Sequence, residues 1–352
     1  MATRNNFDLL RLLFAMIVCI VHICQLSGSS QLAWIPQVLS SSVAVQAFFI
    51  TSGFLIFTSF ERSTALSAYF NKRIRRIYPA YFTIVMLCAI GFVTVSTKNV
   101  GDYFSFAWLH YVLANLVFLN FLQPALPGVF EAGHQIAAVN GALWTLKIEV
   151  MFYLLVPCLV YLFRKWGHLR GMILVYCLSV VYYALFIKAA QYFGSAFYEE
   201  LGRQLPGQLS YFISGAFFCY YFEYFERHRG YFVLAAITIL ATNTIWRLPF
   251  LQPFALATLV IFCARSLYYL GNFGKYGDFS YGVYILHYPI AQLLVHWGGL
   301  KENPWMFLLT VILTSTVSAI CMWHFVEKRF LLKSSHYLTA TTPLDASKIT
   351  PS

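Results

Sequence analysis

FDLLRLLFAMIVCIVHI, residues 7–23, decides how this chain is read. It is an apolar run with the character of a membrane span, yet it carries Asp8, Arg11 and His22. A secretory signal peptide has an uncharged apolar core and no train of further spans behind it, so the run reads as a retained first span. On a helix, the 11 residues from Arg11 to His22 turn through about 1100°, within about 20° of whole turns, and rise about 16 Å. The two side chains therefore share a face, and Asp8, Ala15 and Val18 lie on the same stripe. A polar stripe is expensive against lipid, so this one is expected to face the bundle interior or a wet cavity. The bland alternative is a structural polar seam between helices.

Composition extends that reading to the whole chain. Of 352 residues, 60% are hydrophobic and only 11% charged, against about 25% charged in soluble domains. There is too little polar side chain to cover a water-exposed globule. The expected fold is an all-α, polytopic integral membrane bundle. The net charge of +11 sits in short clusters between apolar runs, as the positive-inside rule requires, and no nucleic-acid partner is expected. The eight cysteines fall inside apolar runs without zinc spacing, which predicts neither a disulfide framework nor a metal site.

Ten runs reach span length, near 8–27, 40–59, 78–96, 143–163, 171–191, 207–224, 230–247, 250–267, 279–297 and 305–325. With the N-terminus inside, KRIRR (72–76) falls inside. RKWGHLR (164–170), ERHR (226–229) and EKRF (327–330) join it only if the further run 104–122 does not cross. About ten spans, both termini cytoplasmic, with 104–122 re-entrant or interfacial, is the consistent topology. Residues 1–333 form the membrane domain, and 334–352 read as a polar, disordered tail.

Three constellations carry possible chemistry. Arg11 and His22 are the first, with Arg11 at the inner mouth and His22 roughly 9 Å below the outer surface. The second is NKRIRRIYPAYF (71–82), where Lys72, Arg73, Arg75 and Arg76 crowd the inner end of the third span. Ordinary topology anchoring explains one or two of them; four invite an anionic ligand such as a phosphate or diphosphate. The third is LWTLKIEVMFYLLVP (143–157), which puts Glu149 at the depth of His22. A carboxylate there can fix the imidazole tautomer, or it can pair with Lys147 or Arg11 for folding alone. Trp144 marks the interface. Ser52 and Gly53 in the second span read mainly as close helix packing. Tyr284 and His287 lie on an aromatic stripe in FSYGVYILHYP (279–289), and Glu327 is placed to neutralise part of the arginine cluster.

At these motifs the chain resembles the acyltransferase-3 family of membrane acyltransferases. FD-x-L-R with a His eleven residues after the Arg resembles the family's opening, and FFITSGFL its second signature. RRIYPAYF is similar to the arginine motif, and LWTLKIEVMFYLLVP to the W-[ST]-L-x-x-E-x-x-F-Y-L signature. FSYGVYILHYP and FVEKRF resemble the late motifs. The last departs from the family's frequent Glu-Arg-Pro, keeping Glu327 but replacing the proline context with Lys328 and Arg329. The resemblance implies acyl transfer, most often of acetyl, from cytoplasmic acyl-CoA to a hydroxyl of an extracytoplasmic glycan or lipid-linked saccharide. It implies a bacterial inner-membrane location and no metal. On that reading His22 is the general base, Glu149 and Arg11 assist it, and Lys72, Arg73, Arg75 and Arg76 hold the CoA phosphates of acetyl-CoA. Asp8, Ser52, Trp144, Tyr284, His287 and Glu327 are further candidates. A transporter or flippase for a lipid-linked glycan also lines its path with intramembrane charge, although no inverted repeat is evident. A cytoplasm-facing acyltransferase acting on a small molecule is a third reading.

Overall fold

In the computed structural model, the structure describes residues 5–131, 133–246, 249–298, 302–333 and 335–339. Among these, helices and connecting turns make up the chain, with no strand. The principal helices are α1 (Phe7–Ser27), α2 (Ser41–Glu61), α3 (Leu66–Gly91), α4 (Phe106–Leu116), α5 (Trp144–Trp166) and α6 (His168–Phe193). They continue with α7 (Leu205–Tyr220), α8 (Phe222–Trp246), α9 (Gln252–Ile261), α10 (Ser280–Trp297) and α11 (Pro304–Met322).

Local chemistry sets several ends. The Ser40 side chain accepts from the Val43 amide at the start of α2, and the Asn303 side chain accepts from Met306 at the start of α11, where Pro304 occupies the first turn. Gly28 closes α1 in the left-handed conformation at φ 61°. Asn6, just before α1, spends its side chain elsewhere: its amide donates to the carbonyls of Cys263 (3.0 Å) and Tyr268 (3.1 Å), tying the start of α1 to the segment after α9.

Among the described residues, helices occupy all ten expected span positions, but only six segments are both long and apolar enough to cross by themselves: Phe7–Ser27, Ser30–Glu61, Leu66–Val95, Trp144–Trp166, His168–Phe193 and Pro304–Phe330. The expected count of about ten is therefore not established by length and composition. The physical reasons differ. α7 has 16 residues, about 24 Å against a hydrocarbon core of about 30 Å. α8 is broken at His228 (φ −114°) and opens with charged turns. α9 has 10 helical residues before a π-turn over Phe262–Ser266. α10 carries serine, tyrosine, histidine and glutamine through its length.

Within the run 104–122, α4 has 11 residues, about 16 Å of helix, or half the hydrocarbon thickness. Just beyond its end Phe118 takes a left-handed conformation (φ 64°). Polar groups near this end are met by protein. Tyr81 donates to the Asn115 carbonyl (2.7 Å), and Asn115 donates to the carbonyls of Tyr111 and Gln123.

Two close crossings fix the bundle. At Gly53 of α2, an added Cβ would sit 2.0 Å from the Phe212 carbonyl oxygen of α7; at Gly215 of α7 it would sit 2.0 Å from the Ile50 oxygen of α2. The glycines let two backbones approach reciprocally, as small residues do in membrane interfaces. Beside them Phe152 of α5 stacks on Phe212 at 4.1 Å between ring centres. The second crossing joins α10 to α11 at Gly282 and Ala319. α1 packs along α10, and this pairing positions the candidate site.

Candidate active site

At one end of the bundle the site is built around Asp278, a residue in the connection before α10 that is 3% exposed. Its Oδ2 accepts from Arg11 Nη1 of α1 (2.7 Å), from Arg76 Nη2 of α3 and from the Tyr337 hydroxyl (3.1 Å). Its Oδ1 accepts from the Ser280 amide (3.1 Å) and hydroxyl, in the manner of a cap on α10. Arg76 also donates to Glu327 Oε2 at 3.1 Å. Burial pushes the Asp278 carboxyl up, but Arg11 and Arg76 outweigh it and hold the group below the usual carboxylate range. Tyr337 donates to Asp8 Oδ1 as well, at 2.8 Å. Thus α1, α3, α10 and the chain beyond α11 meet in one charged knot.

Sideways from this knot opens a cavity of about 40 Å³, bounded by Arg11, Ser52, Thr145, Glu149, Tyr281 and Tyr284 with aromatic and aliphatic walls. It has room for a few waters at most. Glu149 Oε1 accepts from the Tyr153 hydroxyl at 2.5 Å, one turn along α5. Thr145 and Tyr284 share a hydroxyl hydrogen bond of 2.6 Å across the α5–α10 gap. The Arg73 guanidinium lies 5.7 Å from the Tyr153 ring and 5.8 Å from that of Tyr69. Its Nε is buried without a hydrogen-bond partner. A cation with an unused donor therefore sits beside the Tyr153–Glu149 pair.

Further along α1, His22 Nδ1 lies 2.9 Å from His287 Nε2 of α10, and the rings are near-parallel at 5.2 Å. The tautomers follow from the third partner. His287 Nδ1 is 3.0 Å from the Val283 carbonyl oxygen. A carbonyl only accepts, so His287 Nδ1 carries the proton and its Nε2, in the neutral ring, is an acceptor. His22 must then donate through Nδ1, which leaves the His22 Nε2 lone pair free. His287 is fully buried, whereas His22 is half-buried. The pair is a fixed imidazole with one basic nitrogen left over.

Several expected residues land differently from their prediction. Glu149 makes no hydrogen bond to His22 among the described residues; it bonds to Tyr153, and His287 takes the place beside His22. The four basic residues of 71–76 divide by placement. Arg73 and Arg76 point inward, while Lys72 and Arg75 are exposed, Arg75 reaching Asn71 (2.9 Å) and the Phe330 carbonyl (3.4 Å). Glu327 pairs with Arg76. Ser52 lines the cavity, with no hydrogen-bonded base among the described residues. Trp144 is half-buried at the first turn of α5, packed on the core. Of the expected disordered tail, 334 and 340–352 lie outside the described residues, but Tyr337 is buried in the knot. Among the described residues no group of three His, Cys, Asp or Glu side chains is placed to hold a metal.

Asp278 escaped the sequence reading because it stands in a connection with no periodicity. A signal was nevertheless present: Asp278 is the sole acid between Glu226 and Glu302, and it directly precedes FSYGVYILHYP. Tyr337 carried no comparable signal.

Residues 4–324 match the family model described as an acyltransferase domain. The chain is 28% identical over 354 residues to a protein of Shigella phage Sf6 named O-acetyl transferase, covering 96% of this chain and 99% of that one. It is 25% identical over 350 residues to nodulation protein 10 of Rhizobium leguminosarum bv. viciae, covering 92% of each. An uncharacterized protein of Haemophilus influenzae is 27% identical over 164 residues, 45% of this chain and 63% of that one. No solved structure matches the chain. With the histidine pair, the cavity and the inward arginines all inside the matched span, the chain belongs to the acyltransferase-3 family and is a membrane O-acyltransferase.

Proposed function

We propose that this enzyme moves an acetyl group from cytoplasmic acetyl-CoA to a hydroxyl of an extracytoplasmic glycan, working across a bacterial inner membrane. The observation that carries the reading is the His22–His287 pair, which leaves one imidazole nitrogen free as a base deep in the bundle. The relative named O-acetyl transferase supports acetyl as the group moved. The end holding Asp278 is the cytoplasmic one on this reading, because Lys72, Arg75 and the basic residues of EKRF gather there. The residues present fit the donor. Arg73, with its unused buried donor, suits a CoA phosphate, and Arg11 lines the cavity through which the slim pantetheine arm would pass. The cavity is too narrow for that arm as it stands, so its walls must part when the donor enters.

The chemistry balances with a single base. His22 Nε2 takes the proton of the acceptor hydroxyl as its oxygen attacks the thioester carbonyl. The tetrahedral adduct collapses, the C–S bond breaks, and the CoA thiolate takes the proton back from His22. His287 is a positioning residue: accepting from Nδ1–H fixes the His22 tautomer and steadies the imidazolium that forms. The test is acetylation of surface glycan in cells expressing wild type, His22→Ala or His287→Phe, with membrane insertion checked by immunoblot. Each acetylation adds one C2H2O unit to the glycan mass. His22→Ala should abolish the product, and His287→Phe should lower it at least about 100-fold. Wild-type product from inserted His22→Ala would remove His22 from the chemistry.

A further inference from the structure

Beyond His22, away from the charged knot, lies a second cavity of about 170 Å³, roughly four times the volume of the first. Its floor is apolar, with Leu26, Leu294, Val295 and Phe307, and its rim is polar, with Ser27, Ser29 and Gln135. Gly133 and Gln135 are exposed at the mouth. The Gln135 side-chain amide makes no hydrogen bond among the described residues. An apolar floor under hydroxyl and amide groups complements a pyranose, which has C–H faces and hydroxyl edges.

His22 and Tyr288 do not line this cavity, but the helical register sets them one to two turns from residues that do. Leu26 lies four residues after His22 on α1, on the same face and about 6 Å along the axis. Val295 lies seven residues after Tyr288 on α10, two turns and about 10.5 Å away on one stripe. Tyr288 stands edge to face against His22, with ring centres 5.6 Å apart. It is 3% exposed, and its hydroxyl is buried without a hydrogen-bond partner. Gly141 closes over it: an added Cβ there would fall 2.6 Å from Tyr288 Cζ and 2.8 Å from its oxygen. Glycine is what allows the 133–141 connection to pass so near. A buried hydroxyl left unpaired destabilises the fold, and a polar ligand that completes it gives it a reason to be there.

We infer that the cavity between α1, α10, α11 and the 133–141 connection is the acceptor subsite, that it takes a hydroxylated sugar ring, and that the Tyr288 hydroxyl hydrogen-bonds the sugar beside the reacting oxygen. This rests on the acetyl-transfer reading above. It adds where the acceptor enters and which residue orients it, neither of which follows from the histidine pair. Donor and acceptor then approach His22 from opposite ends of α1 and meet only there.

The test measures CoA release by purified enzyme in nanodiscs, with acetyl-CoA as donor and alkali-de-O-acetylated polysaccharide from the producing cell as acceptor. Gln135→Trp, an exposed position, should close the mouth and raise the acceptor KM at least about ten-fold. Tyr288→Phe should raise it about three- to ten-fold. Both should leave the acetyl-CoA Kd unchanged, and Tyr288→Phe should unfold at the same temperature or higher. A purely structural Tyr288 would leave KM alone. Acceptor KM unchanged in both variants, with the wild type active, overturns the subsite while sparing the acetyl-transfer reading. No acceptor-dependent CoA release by the wild type overturns both.

Discussion

Asp278→Asn should weaken the fold at the point where four segments meet. The carboxylate is almost fully buried and receives two guanidinium groups, a phenol, an amide and a serine hydroxyl. Asparagine keeps one oxygen, so its NH2 must face either the two arginines, which cannot accept, or Ser280, whose hydroxyl can turn to accept but whose amide N–H then loses its partner. Removing one partner of a buried ion pair costs about 3–5 kcal/mol. Two features place this case at the lower end. Arg76 keeps Glu327, and the Arg11 side chain is 22% exposed and so partly solvated. A loss of about 3 kcal/mol is expected, against under about 0.5 kcal/mol for Arg203→Gln at the exposed Arg203–Glu199 pair. The assay is thermal unfolding in detergent followed by fluorescence-detected size exclusion. The pH dependence has a definite sign. The Asp278 carboxyl is held below its ordinary value by Arg11 and Arg76 despite burial, so its contribution is complete above the unfolded pKa of about 3.9 and is lost as pH falls further. The gap between wild type and Asp278→Asn should stay constant from about pH 5 to 8 and shrink only below about pH 4. An Asp278→Asn protein as stable as wild type, or a gap that widens on acidification, would refute the reasoning.

Gly215→Val should prevent correct assembly, because the added atoms meet the Ile50 carbonyl and the Phe54 amide, which are backbone and cannot swing away. A cost of about 3 kcal/mol or more is expected, visible as loss of the monodisperse peak; a well-folded variant would show that α2 and α7 do not cross at these glycines. Arg73→Ala should weaken acetyl-CoA binding roughly ten-fold or more, whereas exposed Arg75→Ala should change it less than about three-fold. Isothermal titration separates the two, and equal losses would return the cluster to a single undivided binding patch.

Much of this arrangement was legible, and the rest was hidden for identifiable reasons. The membrane class follows from composition, and helix positions follow from runs of apolar residues, since both depend on local sequence alone. The division of the arginine cluster was not legible. On α3, Arg76 lies about 60° from Arg73 but only about 40° from Lys72, so rotation alone does not separate the inward pair from the exposed one; the neighbouring helices do. The partner of His22 was not legible. His22 and His287 are separated by 265 positions in the chain, and only the packing of α1 on α10 brings them together. Glu149 was expected at the depth of His22, but it lines the cavity with Arg11 and bonds to Tyr153; position along one helix does not choose a partner on another.

The polar residues of the first span therefore have one explanation with three parts. Asp8 receives the Tyr337 hydroxyl, Arg11 pairs with Asp278, and His22 donates to His287. Two of these ties run to α10 or its cap, about three turns apart along α1, so the same groups that make α1 costly in lipid fix its register on α10. A slip by a single residue would rotate α1 by about 100° and break both ties at once. Register matters for the proposed chemistry because it holds His22 against His287, which sets its tautomer. A seam that merely held helices together would be satisfied by any complementary pairs. This one leaves one imidazole nitrogen without a partner, and on the proposed reading that nitrogen is the base.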